Sequence, residues 1–386
     1  MTVRVNKQSF NIREKLSELE RPIGVKGNEL MGAETAQDAR DLVSAGRKNM
    51  VINGDMRISQ RVGTTATTTT SGGFVIDRYR CEVGSSGSTT QQQVTDAPPG
   101  FHNSMKITVT STDTSISAGE FHYVRHIIEG NNITHLNWGS SNAKTVTLSF
   151  WVKSSVTGDH GGSLWNNDFT RSFAFNYRIN VANSWEYKSI TVPGCPDGTW
   201  ATDITRGINI GFVQLSGSTY TTGTPNQWIS AAVADIAPTN HVNLLATNGA
   251  TWYITGIQLE VGKNATDFEH RSFGEELALC QRYYQNSFHQ SVGKYPGNTD
   301  NDNGMIQTCW SDGNSPFGMF PTPMRAQPTV TLRQRGTNNT GKVEVGGAQK
   351  TASAQQVTNQ GVGYIAVTSG VAGSWCAFSY ELTSEI

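Results

Sequence analysis

The sequence TWYITGIQLEVGKNATDFEHR, residues 251–271, carries the strand pattern around which the chain is organised. Trp252 and Ile254 stand at every second position of the strand. After Gly256 the apolar residues move from even-numbered to odd-numbered positions, at Ile257, Leu259 and Val261. A change of parity at a glycine inside a strand is typical of a β-bulge. Gly262 ends the pattern, and a polar segment follows. We predict that this strand closes one large β domain, to which the later residues are appended.

Alternation of apolar and polar residues recurs throughout the part of the chain that precedes this strand. The clearest examples are VTLSFWVKSS at 146–155 and FAFNYRINV at 173–181. Repeated alternation with turn residues between the segments predicts antiparallel strands. Two sheets that share one core and have long loops at their ends fit a jelly-roll β-sandwich. We therefore predict a mainly β protein with a jelly roll over residues 49–271.

The segments that flank this domain have different patterns. Residues 1–48 contain two short stretches with narrow apolar stripes at helical spacing, which we interpret as a segment that attaches to a partner. Its predicted docking side chains are Ile12, Leu16, Leu19, Leu42 and Val43. Ser272 and Glu275 form a capping-box pattern at the start of a connecting helix predicted over 272–285. Residues 286–386 alternate again and predict a small C-terminal β domain.

Composition limits the possible functions. Charged residues make up 16% of the chain and the formal net charge is −1, so no basic stripe for nucleic acid is expected. The sequence has no apolar run of the roughly 20 residues that cross a membrane. Its N-terminus lacks the apolar core of a signal peptide, which predicts synthesis in a cytoplasm. The five cysteines are widely spaced, so we expect buried thiols and neither disulfides nor a zinc site.

Motifs of common enzymes are missing from the sequence. It contains no G-x-S-x-G, no H-E-x-x-H, no Walker loop and no G-x-G-x-x-G. Glycoside hydrolysis needs only a pair of carboxylates at the right separation in space. Asp55, Asp77, Glu260 and Glu269 are candidates by residue type alone. We predict no catalytic residues and a protein that is not an enzyme.

Sugar binding is the chemistry that the sequence favours. A sugar ring stacks its apolar face on an aromatic side chain, while amides and carboxylates bind its hydroxyl groups. Tryptophans in polar loops, together with their amide and carboxylate neighbours, are therefore candidates for a glycan site. These candidates are Trp165, Asn167, Asp168, Trp200, Trp228, Trp310 and Asp312. The alternative for each tryptophan is that it fills the end of a sandwich or a seam between subunits.

Several long segments resemble a known family. They include RKNMVINGDMRISQR at 47–61 and WYITGIQLEVGKNATDFEHRSFGEELALCQRYYQ at 252–285. The chain resembles tail fibre proteins of tailed bacteriophages, in particular marine cyanophages, over most of residues 36–386. The middle domain is also similar in strand pattern to carbohydrate-binding jelly-roll modules. The resemblance implies a homotrimeric fibre in the virion, made in the host cytoplasm. Its N-terminal part would dock on a tail adaptor or nozzle protein, and its β domains would contact host glycan.

A structural calcium ion is the one cofactor that this resemblance suggests. Jelly-roll carbohydrate modules often bind Ca²⁺ through oxygen ligands where their first and last strands meet. Asn53, Asp55 and Glu260 are the candidate ligands at that position. The alternative is an Asn-Gly turn with surface carboxylates and no metal.

Two functional alternatives stay open beside adhesion. One is a tailspike enzyme that hydrolyses surface polysaccharide, although such enzymes usually carry a long β-helix with short repeats, which this sequence lacks. The other is a structural adaptor or collar of the tail that binds no receptor. The preferred hypothesis is attachment of a virion to surface glycan without catalysis, without nucleic acid and without membrane insertion.

Overall fold

The alternating segments of the sequence form antiparallel strands in the computed structural model. It describes residue 32 and residues 48–230, 235–287, 305–334 and 339–386. The docking side chains predicted in residues 1–48 lie outside the described residues. These are Ile12, Leu16, Leu19, Leu42 and Val43.

The strands of the first part of the chain build a β-sandwich. In chain order they are β1 Thr67–Thr68, β2 Tyr79–Val83, β3 Ser88–Val94, β4 Ser104–Ser111, β5 Phe121–Glu129, β6 Val146–Ser154, β7 Gly158–Trp165, β8 Arg171–Ile179, β9 Glu186–Val192, β10 Arg206–Ser216, β11 Thr221–Thr222, β12 Trp228–Ser230, β13 Ala237–Pro238 and β14 Thr251–Val261. Within the described ranges twelve of them form two six-stranded antiparallel sheets, and β11 and β13 pair in parallel as a separate two-stranded sheet. Sheet 1 has the order β1-β3-β4-β14-β6-β9, and sheet 2 has the order β12-β8-β7-β10-β5-β2. The mainly β, antiparallel prediction is confirmed.

Strand β14 carries the predicted bulge. Its pairing with β6 shifts register between Thr255 and Gln258, and Gly256 in this interval has a φ of +64°. A Cβ at Gly256 would lie 2.7 Å from the ring of Phe101, so glycine is required here. The apolar residues on both sides of the bulge enter the core; they are Trp252, Ile254, Ile257 and Leu259. The strand lies between β4 and β6, in the middle of sheet 1.

Aromatic contacts join the two sheets across the sandwich core. Phe150 of β6 and Phe212 of β10 meet edge to face with their ring centroids 5.0 Å apart. The ring of Trp252 lies 6.0 Å from that of Phe212. Successive side chains of a strand point to opposite faces of its sheet, so apolar residues at every second position all point into the core. The alternation seen in the sequence therefore specifies which face of each sheet is buried.

One helix follows the sandwich among the described residues. Helix α1 spans Phe273–Gln281, and the Ser272 hydroxyl accepts a hydrogen bond from the N–H of Glu275, which confirms the predicted cap. The helix is shorter than the predicted 272–285 because Tyr284–Asn286 form a strand. No helix within the described ranges is long and apolar enough to cross a membrane.

A second set of strands forms the C-terminal part. They are β15 Tyr284–Asn286, β16 Met305–Thr308, β17 Ser315–Met319, β18 Thr329–Gln334, β19 Lys342–Val345, β20 Ala348–Val357, β21 Gly361–Val367 and β22 Trp375–Thr383. Strand β22 pairs with β15, β16, β18 and β19. Phe317, Leu332, Ile365 and Phe378 belong to a core of their own, distinct from the sandwich core. The division at 49–271, 272–285 and 286–386 stays a prediction.

A small apolar cluster connects the C-terminal part to the sandwich. It contains Ile58, Ile127, Cys280, Tyr283 and Ile386. The five cysteines of the chain are all buried and unpaired.

Candidate functional site

Two of the candidate tryptophans pack with a third at the sandwich core. The rings of Trp138, Trp200 and Trp228 meet edge to face, with centroids 4.7, 5.2 and 5.5 Å apart. Each indole N–H donates a hydrogen bond to a backbone carbonyl. Trp200 and Trp228 therefore have the packing role that the sequence left as the alternative, and they do not enter the site proposed below.

The predicted cluster around Trp165 is not brought together. The Trp165 ring is completely buried against Tyr123, with centroids 6.0 Å apart. Asn167 and Asp168 are exposed, and Asp168 accepts hydrogen bonds from Thr170 at 2.8 and 3.4 Å. Because no face of the indole is open to solvent, Trp165 cannot stack on a sugar in this structure. The polarity of its neighbours in sequence was a misleading signal.

Trp310 has the exposure that a stacking platform needs. Its side chain is 45% exposed, and its ring lies 6.0 Å from that of Tyr364. The turn that carries it is closed by two backbone hydrogen bonds, from Trp310 N–H to Asn314 O at 2.7 Å and from Gly313 N–H to Trp310 O at 2.9 Å. The platform therefore sits on a defined turn.

Asp312 places a carboxylate in the same turn. It accepts hydrogen bonds from the backbone N–H of Asn314 at 3.0 Å and from its side-chain amide at 2.8 Å. These hydrogen bonds lower the pKa of Asp312 below its usual range, because they favour the charged form. We call Trp310, Asp312, Asn314 and Tyr364 the Trp310 surface. It combines an open aromatic face with an ionised acceptor.

The three predicted calcium ligands are each engaged with protein groups. The side chain of Asn53 accepts from the N–H of Ile58 at 2.9 Å, and Asp55 pairs with Arg57. Glu260 accepts from its neighbours at 2.6–2.9 Å. Within the described residues, no group of three or more His, Cys, Asp or Glu side chains is placed to hold a metal ion. Neutral N–H and O–H donors bond the oxygens of Asn53 and Glu260 in this structure, and calcium at this position stays a prediction.

Two clefts flank the threonine run TTATTTT, which is residues 64–70. One has a volume of about 320 Å³ and is lined in part by Phe273, Ser59 and Gln93. Its polar side chains are already committed, since Ser59 donates to Val75 O at 2.7 Å and Gln93 donates to Met56 O at 2.6 Å. The other, of about 410 Å³, is lined by the threonines. The sequence did not lead us to predict either cleft. The threonine run, which contributes residues to both, was the one feature of the local sequence that marked this region.

Comparisons with known proteins place the chain in no family. No family model and no curated protein matches its sequence. Among solved structures, the enzymatically active domain of tailspike protein 4 from bacteriophage CBA120 is 13% identical with a TM-score of 0.30, over 55% of this chain and 21% of that one. A family 11 carbohydrate-binding module from Clostridium thermocellum, in complex with a β-1,3-1,4-mixed-linked tetrasaccharide, is 13% identical with a TM-score of 0.26, over 54% and 99%.

A carbohydrate-binding module designated CBM4 is similar at the same level. It is 14% identical with a TM-score of 0.27, and the match covers 55% of this chain and 99% of the module. This chain spans about a fifth of the tailspike domain that it matches. TM-scores of this size carry no argument about function.

One of the four candidate carboxylates, Asp77, has an unusual ionisation. It is buried and accepts hydrogen bonds from the backbone N–H of Gln60 at 3.2 Å and from its side-chain amide at 2.5 Å. Burial raises the pKa of Asp77 to about 6, although Arg61 at 3.5 Å lowers it. The folded protein therefore holds this proton more tightly than the unfolded chain, in which an aspartate has a pKa of about 3.9.

Stability is expected to depend on pH through this carboxyl group. Its charged form is costly in the fold, so its contribution becomes more favourable as the pH falls through about 6 towards 4, by about 2 kcal/mol. Unfolding free energies of the wild type and Asp77→Asn, measured in urea at pH 7 and pH 4, test this. We expect the wild type to gain about 2 kcal/mol relative to the variant at the lower pH. A difference that is the same at both pH values would contradict the assignment.

Proposed function

We propose that the protein is a glycan-binding adhesin that attaches a virion to a host surface through the Trp310 surface, without catalysis. The observation that carries this proposal is the open indole face of Trp310, which is 45% exposed on a closed turn beside an ionised carboxylate. The other candidate tryptophans, Trp165, Trp200 and Trp228, pack against protein groups. Trp310 is thus the candidate whose ring is free to meet a ligand.

The chemistry of this surface suits a sugar ring. The apolar face of a sugar stacks on the indole. The indole offers a large contact area, and its side chain loses little conformational entropy on binding. Asp312 has lone pairs left for hydroxyl groups and stays charged near neutral pH because its pKa is lowered. The neighbouring phenol of Tyr364 both donates and accepts hydrogen bonds. Stacking thus provides affinity, while the polar groups orient the hydroxyls.

The place of the protein in a virion is also a proposal. It is supported by the resemblance of residues 47–61 and 252–285 to phage tail fibres and by the low fraction of charged residues. In this role the chain forms a homotrimer, residues 1–48 dock on a tail adaptor or nozzle protein, and the β parts contact glycan. Light scattering of the purified full chain that shows a monomer would contradict the trimer.

Binding to polysaccharide purified from the host envelope tests the adhesin function. We expect Trp310→Ala to weaken binding at least tenfold, equivalent to about 1.4 kcal/mol, and Asp312→Asn to weaken it less. The matched control is Tyr187→Ala, because Tyr187 is 44% exposed on β9 of the sandwich, outside the Trp310 surface. This variant is expected to bind like the wild type. Unchanged binding by Trp310→Ala would overturn the proposed site.

Two further measurements separate adhesion from its rivals. Incubation of the protein with the same polysaccharide should release no reducing ends, and steady release would instead establish a tailspike hydrolase. Excess soluble protein should block adsorption of the phage to its host. If it does not, a structural adaptor or collar becomes the better hypothesis.

A further inference from the structure

The cleft of about 410 Å³ lies where the threonine run meets the C-terminal strands. Its volume falls in the range of sites for small molecules. One wall is the last part of the run, Thr67–Thr70, and the opposite wall contains Tyr284, Glu381 and Thr383. Phe74 and Arg61 also line the cleft. We call it the threonine cleft. Its walls come from strands that are far apart in sequence, so the cleft exists only in the folded chain.

The threonine run is held in place by its own backbone and by sheet 1. Thr67 and Thr68 pair with β3, and the buried hydroxyl of Thr69 accepts from that of Thr89 at 2.7 Å. After the run, Gly73 N–H donates to Thr70 O at 3.0 Å. A Cβ on this glycine would lie 2.8 Å from the Thr70 hydroxyl oxygen, so glycine permits the turn. The wall is therefore a fixed surface.

Hydroxyl groups in the cleft are available to a ligand. In the part of the chain that the structure describes, the hydroxyls of Thr68, Thr70 and Thr383 have no protein partner. Each can donate one hydrogen bond and accept others. Thr68 and Thr70 belong to one wall and Thr383 to the other, so a bound molecule would meet hydroxyls from both sides.

The charges of the cleft are neutralised within the protein. Arg61 pairs with Glu385 at 3.1 Å and lies 3.5 Å from Asp77. Glu381 accepts from Arg333 at 3.0 Å. The cleft therefore offers no free cation for a phosphate or sulfate and no free anion for a basic group.

Arg61 also positions the aromatic side chains of the cleft. Its guanidinium carbon lies 3.7 Å from the ring centroid of Tyr284 and 4.9 Å from that of Phe74. Cation–π contacts of this kind hold the two rings in fixed positions. Together with the methyl groups of the threonines, they supply apolar surface next to the hydroxyls.

We propose that the threonine cleft binds one or two sugar units of an uncharged glycan. A sugar has hydroxyl groups on its rim and C–H groups on its faces, which match threonine hydroxyls beside methyl and aromatic groups. An apolar ligand would displace water from these hydroxyls without replacing its hydrogen bonds. The ligand class rests on the proposed glycan-binding function, whereas the site is independent of the Trp310 surface.

Paired valine substitutions test the site. Thr68→Val/Thr70→Val removes the two hydroxyls and keeps β-branched side chains, and Thr383→Val tests the opposite wall. The matched control is Thr108→Val/Thr110→Val, which has the same spacing on β4 outside the cleft. Calorimetric titration uses neutral hexasaccharides of glucose, galactose, mannose and N-acetylglucosamine as probes, with heparin as the anionic comparison.

We expect the cleft variants to lose at least tenfold in affinity for one neutral probe, with melting temperature unchanged and the control binding normally. The same loss in a Trp310→Ala background would show that the cleft acts independently. If the wild type binds glycan through Trp310 and the cleft variants have the same glycan affinity as the wild type, the cleft inference fails while the proposed function stands. Heparin binding tighter than any neutral probe would also overturn the inference. If the wild type binds no glycan, both proposals fail.

Discussion

Replacement of Arg271 by alanine is expected to lower the free energy of unfolding by about 3–5 kcal/mol. Arg271 is buried, and its guanidinium donates to Val51 O at 3.1 Å and to both oxygens of Glu276 at 3.3 Å. A second donor bonds Asn49 O. The side chain thus fastens the first residues of the sandwich to the segment that follows β14.

The size of this effect comes from the partner that is left behind. Glu276 is buried, and burial raises its pKa, while Arg271 and the N–H of Asn53 favour its charged form. Without Arg271 the carboxylate either stays charged in a poor environment or takes up a proton, and both options cost stability. The backbone carbonyls of Val51 and Asn49 lose a donor as well.

A double-mutant cycle measures this dependence. Arg271→Met combined with Glu276→Leu should cost less than the sum of the single substitutions by at least about 2 kcal/mol, because an apolar pair leaves no buried charge. The control is Arg178→Ala, whose pair with Asp159 is exposed on both sides and should change stability by no more than about 0.5 kcal/mol. Urea unfolding gives the values. Additive single effects, or a loss below about 1 kcal/mol for Arg271→Ala, would contradict a coupled buried pair.

Local patterns predicted the parts of the fold that local geometry determines. The parity change at Gly256 predicted the bulge because side-chain direction alternates along a strand. The cap at Ser272 could also be predicted from local sequence, because its hydrogen-bond partner is only three residues away. Helix α1 ends at Gln281, before the end of the predicted segment, because Tyr284–Asn286 pair with β22. A contact across almost a hundred residues leaves no periodic signal in the sequence.

The candidate site was harder to predict, because burial of a loop residue depends on which loops meet. Trp165 and Trp200 have polar neighbours in sequence, yet both are packed inside the protein. Trp310 has similar neighbours and is exposed. The threonine cleft needs Thr67–Thr70 and Thr383 to come together. The run itself was visible, but nothing near it in sequence identified the opposite wall.

Replacement of Trp252 by alanine should also remove a large part of the stability, about 3–5 kcal/mol. Trp252 is fully buried in β14, and its ring contacts Phe212 of the opposite sheet. Its indole N–H donates to the hydroxyl of Tyr177 at 3.1 Å. The substitution opens a cavity between the sheets and takes away the donor of a buried hydroxyl.

Two variants separate these causes. Trp252→Phe keeps most of the apolar volume and loses the N–H, so its cost should be nearer the 1–3 kcal/mol of a broken buried hydrogen bond with a smaller cavity. Tyr187→Ala removes a ring that is 44% exposed on sheet 1 and should cost clearly less than Trp252→Ala. Urea unfolding of the three variants at one pH provides the comparison. If Trp252→Ala is too unstable to purify, Trp252→Phe still tests the argument, because a phenylalanine as stable as the wild type would show that the hydrogen bond to Tyr177 contributes nothing.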